Sequence, residues 1–130
     1  MEPTLTDGVA FFVPCLNEEG NVGRVIDTLS EVMKGIGGRY EILIVDDAST
    51  DHTLQDVEEA RQRHPDAVIK VIRNVFCRGL GRNYFIAAHR AEADHFMLVN
   101  GDAAEPPETI QAILALKGQA DAIVPLFRSS

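Results

Sequence analysis

The chain has 130 residues, enough for one domain with a real core, and at 45% hydrophobic and 25% charged it is not a disordered segment. Twelve Lys and Arg against 20 Asp and Glu give a net charge of −8, which argues against a general nucleic-acid binder and against adhesion to an anionic membrane through this domain. No apolar run approaches the ~18 residues of a spanning helix. Met1–Ala10 shows no secretory leader, and Cys15 and Cys77 have neither disulfide-framework nor zinc spacing, so a reducing cytoplasmic setting is expected.

In chain order, Val9–Val13 is a dense apolar run ending at Pro14 and predicts a strand. Val22, Val25, Ile26, Leu29, Val32, Met33 and Ile36 then recur at helical spacing, stopped by Gly37 and Gly38. Ile42–Val45 predicts a second strand, closed by Asp46 and Asp47. Asp51 is the expected N-cap of a helix carrying Leu54, Val57 and Ala60 and ending near Pro65. Val68–Ile72 is a third strand. Leu80, Tyr84, Ala87, Ala88 and Ala91 mark a third helix, and Phe96–Val99 a fourth strand. Pro107 and Glu108 suit the first turn of a helix lined by Ile110, Ile113, Leu114 and Leu116 and ended by Gly118; Ala122–Val124 is a short fifth strand.

Strands that read as continuous apolar runs are buried on both faces, and strands separated by single helices imply right-handed crossovers. The expected architecture is therefore α/β: a three-layer α/β/α, Rossmann-like domain over residues 1–130, with a mainly parallel sheet of about five strands. The first strand should be central and the third at an edge. No linker, charge block or internal repeat interrupts it.

Ligands of open parallel sheets bind beyond the carboxyl ends of the strands. Three polar segments should converge there: Pro14–Glu19, Asp46–Asp51 and Asn100–Pro107. Several carboxylates on one rim repel one another, and a hard divalent cation carrying a diphosphate would relieve this. Asp47 and Glu18 could instead accept hydrogen bonds from a nucleobase or ribose. Ser49, Thr50 and Asp51 read mainly as turn and capping residues. Gly79 and Gly81 open the third helix, where an anion can approach the backbone, and Arg78 and Arg82 could meet phosphates or simply be solvated. His52, His64, His89 and His95 have no metal spacing, and Cys15 reads as a small apolar residue rather than a nucleophile.

Pro14-Cys15-Leu16-Asn17-Glu18-Glu19 followed by Asn21-Val22 resembles the opening of family 2 inverting glycosyltransferases, Pro-x-Tyr-Asn-Glu-Glu. Val45 to Asp51 resembles that family's second motif. Asn74, Arg78-Gly79-Leu80-Gly81 and Tyr84 are similar to its third segment, particularly in dolichyl- or polyprenyl-phosphate mannose and glucose synthases. Asn100-Gly101-Asp102, followed by Glu105-Pro106-Pro107-Glu108, lies where the family carries its Asp-x-Asp metal motif. The likeness runs from Phe11 to about Arg128.

The resemblance implies a nucleotide-diphospho-sugar donor on a GT-A fold. Pro14, Leu16, Asn17 and Glu18 would contact the nucleoside, Asp46 or Asp47 the base or ribose, and Arg78 and Gly79 would belong to the same site. Asp102, helped by Asn100, would reach a Mg or Mn ion bound to the diphosphate. It implies transfer of a hexose with inversion, with polyprenyl phosphate as an acceptor class, and a place at the cytoplasmic membrane face through a further C-terminal region. Leu16 stands where the family usually has Tyr, which removes ring stacking on the base. Asn100 replaces the first acid of Asp-x-Asp and removes one charge from the metal site. The acceptor side and the carboxylate that deprotonates the acceptor are expected beyond Ser130, and the sheet surface they would cover points to self-association. A relative that binds a nucleotide or partner without turnover is the alternative. A nucleotidyltransferase is disfavoured, because it would want a Gly-rich basic loop where Asn17, Glu18 and Glu19 stand.

Overall fold

The strands that read as unbroken apolar runs serve two cores at once. The structure, a computed structural model, describes residues 8–102, 106–114 and 122–123. Its elements are β1 (Val9–Cys15), α1 (Val22–Ile36), β2 (Tyr40–Asp46), α2 (Thr53–Arg63), β3 (Val68–Arg73), α3 (Leu80–Arg90), β4 (His95–Leu98), α4 (Pro107–Leu114) and β5 (Ala122–Ile123). Side chains alternate across a strand. Val9, Phe11, Val13 and Cys15 of β1 therefore join Ile42 and Ile44 of β2 in one cluster, while Ala10 and Phe12 join Leu43 and Val45 in another. The first cluster is roofed by α1, α2 and α4 through residues such as Ile26, Leu29, Val57 and Ile110. The second is thinner and is closed by α3, with Phe12, Tyr84 and Phe96 in mutual ring contact at centroid distances of 5.2 to 6.0 Å.

All neighbouring strands pair parallel, in the order β3-β2-β1-β4-β5. The first strand is central and the third is at an edge, as the βα alternation predicts. The order reverses direction at β1: the chain winds outward through β2 and β3, then crosses back to place β4 on the other side. Beyond the carboxyl end of β1 there is consequently a crevice between two loops that diverge.

The strands outrun their apolar cores, because a ladder needs backbone groups rather than greasy side chains. β1 continues through Pro14 and Cys15, paired with Val45 and Asp46. Pro14 removes no ladder bond there. Its nitrogen faces the β4 side, as the Phe12 carbonyl does, and pairing with β4 has ended at Phe12 apart from the Val99 N–H donating to Phe12 at 2.9 Å. The expected cap of α2 is corrected by one residue. His52 holds the N-cap position, and Asp51 accepts the Thr53 N–H at 3.0 Å, an Asx turn leading into the helix. Leu116, Gly118 and Val124 lie outside the described residues, as does Glu105.

One charge lies deep in the sheet. Glu41 of β2 is wholly buried. Its Oε2 accepts the backbone N–H groups of Glu92 and Ala93 at 2.5 and 3.0 Å, and Lys70 Nζ stands 2.9 Å from Oε1, a charge contact without hydrogen-bond alignment. Lys70 also reaches Glu92 at 3.1 Å. The cluster clamps the α3–β4 connection to β2 and β3. On the opposite face Asp27 of α1 receives Arg63 at 3.2 Å and His64 at 2.6 Å, fastening the end of α2. Removing one partner of a buried charge cluster strands the others. Glu41→Ala is therefore expected to lower unfolding free energy by about 3 kcal/mol in urea titration, with Glu41→Gln recovering part of it by accepting the two N–H groups. A loss within the range of surface substitutions, about 0.5 kcal/mol, would show that the clamp is dispensable.

Candidate functional site

The loops beyond β1, β2 and β3 have no ladder of their own, so each N–H must find an acceptor. The residues after β2 supply them. In the β1–α1 loop the Asn17 N–H donates to Ser49 Oγ at 2.8 Å, the Glu18 N–H to Thr53 Oγ1 at 2.9 Å, and the Glu19 N–H to Asp51 at 3.2 Å. The Gly20 and Gly23 N–H groups both donate to Asp56 Oδ2 at 3.0 Å. Traffic also runs back: Asn17 Oδ1 accepts the Thr50 N–H at 2.8 Å and Glu19 accepts the His52 N–H at 3.1 Å. Asn17 and Ala48 adopt left-handed backbone conformations, φ 56° and 70°, and the reciprocal bonds to Ser49 and Thr50 hold Asn17 in place.

Asp47 organises the third loop. It is buried. Its Oδ1 accepts the Arg78 N–H at 2.7 Å and the Asn74 amide at 2.9 Å, and its Oδ2 accepts the Gly79 N–H at 3.0 Å and the Cys77 thiol at 3.1 Å. Asn74 Nδ2 also donates to buried Asn83 of α3 at 2.7 Å. Burial alone would raise the Asp47 pKa, but the Arg78 N–H, Asn74, Cys77 and the Gly79 N–H outweigh it and hold the carboxyl well below the usual range. The same bond raises the Cys77 thiol above its ordinary value.

These contacts revise the expectation of a rim in need of a cation. Asp47, Asp51, Asp56 and Glu19 each accept backbone N–H donors, while the buried Asp46 Oδ2 is left without a partner. Asp46 is wholly buried, with Oδ1 receiving the Ser49 hydroxyl. A side chain with no exposure is not set to meet a base or ribose; it fixes Ser49, which fixes Asn17. The anion at the start of α3 is the chain's own Asp47, so the Arg78 and Gly79 N–H groups are engaged. The Arg78 guanidinium instead stacks 4.6 Å above the Phe76 ring. Cys15 is buried, and burial followed by the Asp46 charge pushes its thiol far up, which suits an inert packing residue.

A groove of about 330 Å³ opens beyond β1, walled by Pro14, Cys15, Leu16, Glu18, Asp47, Cys77, Gly79, Leu80 and Asn83. Leu16 is exposed and Glu18 half-buried, with Oε1 accepting from Asn21 at 3.1 Å. Asn100 and Asp102 lie on the turn after β4, which packs against the same wall. A Cβ on buried Gly101 would stand 2.8 Å from the Pro14 carbonyl oxygen, 3.0 Å from Cys15 Sγ and 3.5 Å from Glu18 Cγ, so only glycine permits this approach. The structure thus brings Pro14, Leu16, Glu18, Asp47, Gly79 and the Asn100–Asp102 turn to one crevice, and leaves Asp46 and the Asn17 side chain behind it as struts. Among the described residues no three His, Cys, Asp or Glu side chains form a metal cluster. Asn100 and Asp102 bring one amide and one carboxylate. That set fits an ion whose shell is completed by diphosphate oxygens, not one held by protein alone.

Sequence reasoning missed Asp56, Asn83, Thr53 and the direct partnership of Asn74 with Asp47. The first left a trace. Gly23 sits in the first turn of an otherwise well-filled helix, and a Cβ there would lie 2.5 Å from Asp56 Oδ1.

The pattern that defines "Glycosyl transferase family 2" matches residues 10–129. The dolichol-phosphate mannosyltransferase of Pyrococcus furiosus is 30% identical over 114 residues, which is 87% of this chain and 31% of that protein. The undecaprenyl-phosphate 4-deoxy-4-formamido-L-arabinose transferase of Pseudomonas paraeruginosa is 27% identical over 132 residues, covering 100% of this chain and 38% of that one. Among solved structures, S. aureus TarS 1-349 in complex with UDP-GlcNAc superimposes with a TM-score of 0.68 at 26% identity, over 85% of this chain and 31% of that one. The mannosyltransferase PcManGT from Pyrobaculum calidifontis, in complex with GDP-Man and Mn2+, has the same fold: TM-score 0.66, 23% identity, 82% of this chain and 31% of that one. The chain spans about a third of the length of the curated relatives it matches.

The Asp47 strap makes a pH-dependent prediction. A carboxyl whose folded pKa lies below its unfolded value stabilises fully above the unfolded pKa, about 3.9, and that stability is lost as pH falls below it. Asp47→Asn is therefore expected to cost about 2 kcal/mol at neutral pH, with the gap from the parent closing below about pH 4. Urea unfolding across that range measures it; a gap independent of pH would mean that the ionised form is not what holds the loop.

Proposed function

The chain belongs to glycosyl transferase family 2, and from that premise we propose that it is a single nucleotide-sugar-binding domain, the donor half of an enzyme that transfers a hexose from a nucleotide-diphospho-sugar with inversion. The observation that carries this reading is the crevice at the carboxyl end of β1, where the groove between Pro14, Leu16, Glu18, Asp47 and Gly79 meets the Asn100–Asp102 turn. A parallel sheet whose order reverses at β1 offers its ligand site there. The acceptor class we favour is a polyprenyl phosphate, a reading supported by the dolichol-phosphate and undecaprenyl-phosphate transferases among its relatives. Among the described residues no helix is long and apolar enough to cross a membrane. In this reading the chain works at the cytoplasmic face of one.

Leu16 and Leu80 offer aliphatic contact to a base, and Glu18 and Asp47 are the carboxylates within the groove. Asp47 already accepts four hydrogen bonds, the capacity of a carboxylate. A ligand N–H or ribose hydroxyl must take the place of one of them, and the thiol of Cys77, the weakest donor, is the one to yield. In the transfer the acceptor oxygen bonds to the anomeric carbon as the bond to the diphosphate breaks on the opposite face. A divalent ion, Mg or Mn, bound with the diphosphate at Asp102 and Asn100, would stabilise the leaving charge. The alternative, a relative that binds nucleotide without turnover, draws support from Asn100 in the metal turn and from the saturation of Asp47.

Calorimetric titration with uridine and guanosine diphosphates, with and without Mn, tests this reading. One diphosphate is expected to bind the parent chain, more tightly with Mn. Asp47→Ala should weaken binding roughly tenfold or more, since 1.4 kcal/mol is one decade. Asp102→Asn should remove the Mn effect and leave metal-free affinity nearly intact, whereas Asn100→Asp should strengthen metal and nucleotide binding together when Mn is present. If neither diphosphate binds, the donor reading fails; if Mn changes nothing for the parent, Asp102 is only a turn residue.

A further inference from the structure

The chain-wide charge of −8 conceals a segregation. Residues 67–91 contain none of the 20 Asp and Glu and five of the 12 Lys and Arg: Lys70, Arg73, Arg78, Arg82 and Arg90. Lys70 is held by Glu41 and Glu92, but among the described residues none of the four arginines is in an ion pair, and all four are exposed. The same segment carries the most exposed large apolar side chains described: Val75 at 91%, Phe85 at 66% and Phe76 at 61%, with Leu80 at 54%. Val75 and Phe76 stand on the loop that feeds α3. Arg82 and Phe85, three residues apart, lie on one solvent-facing stripe of that helix.

Isolated exposed apolar residues need no explanation, but apolar side chains interleaved with unpaired arginines do. We infer that this face, the β3–α3 loop and the outer stripe of α3, docks on an anionic lipid surface. Its arginines would meet lipid phosphates while Val75, Phe76 and Phe85 enter the boundary with the acyl chains. A second copy of the chain fits less well, because a twofold contact through this face would set its unpaired arginines against one another. The net charge of −8 does not stand against this, because the acids lie before residue 67 and after residue 91. The surface stands independently of the donor reading, although it would bring the rim to a bilayer in which a lipid-phosphate acceptor resides.

Co-sedimentation of the 130-residue chain with vesicles tests it, comparing phosphatidylcholine alone with phosphatidylcholine containing phosphatidylglycerol. The parent is expected to pellet with the anionic vesicles and to stay in solution with the neutral ones. Raising salt from about 0.1 to about 1 M, which shortens the Debye length from about 10 to about 3 Å, should release it. Arg82→Glu and Phe85→Ser should each lower partitioning roughly tenfold or more, while the urea midpoint stays at the parent value and, for Phe85→Ser, diphosphate affinity by calorimetry does too. Absence of parent binding to anionic vesicles, or equal binding by both variants, overturns the inference. So does a change from dimer to monomer in the variants without any vesicle effect, which assigns the face to a second copy. Loss of diphosphate binding by the parent with vesicle docking intact would sink the donor reading and leave this surface standing.

Discussion

Backbone N–H groups that lie outside any ladder must still be satisfied, and in this fold one short segment satisfies them for two loops. The residues from Asp46 to Asp56 accept from Asn17, Glu18, Glu19, Gly20 and Gly23 on one side and from Arg78 and Gly79 on the other. Everything beyond the carboxyl end of the sheet takes its shape from that arrangement. The acids are not a reservoir of repulsion awaiting a ligand; most are acceptors for the protein's own donors, and the crevice is what they leave open.

This explains which parts of the molecule could be read from residues alone. Ile42–Val45 announces a doubly buried strand because four consecutive apolar side chains have no other use, and the i, i+3, i+4 recurrence from Val22 to Ile36 admits one regular structure. Both are local patterns. The polar wiring is not local: Asp56 meets Gly20 and Gly23 across 36 and 33 residues, and Asp47 meets Arg78 across 31. Sequence marks Asp46 and Asp47 as a pair. Strand alternation then sends them to opposite faces, so that one is sealed behind Ser49 and the other borders the groove. The identity of the residues points to a rim; only the pairing of each N–H with its acceptor separates strut from wall.

Charge behaves in the same way. A net value describes the long-range field, whereas contact is decided over roughly a Debye length, ~10 Å at moderate salt. All twenty acids lie before residue 67 or after residue 91, and the one that meets the β3–α3 loop, Asp47, is buried and spent on that loop's own N–H groups. Lys70, pinned by Glu41 and Glu92, marks the border.

The sheet is not equally strong along its width. β1 is joined to β2 over seven residue pairs, Val9–Cys15, but to β4 over only four, Val9–Phe12, and the crevice lies above the shorter ladder. Of the two seams that flank β1, the one with β4 is therefore where partial opening costs less, and such opening would carry the Asn100–Asp102 turn away from Pro14 and Glu18 while the β1–β2–β3 half kept its stapled loops. A molecule gripping both sides of the crevice would act as a clasp on that seam, so its binding energy would be felt as mechanical closure of the protein and not only as occupancy of a groove.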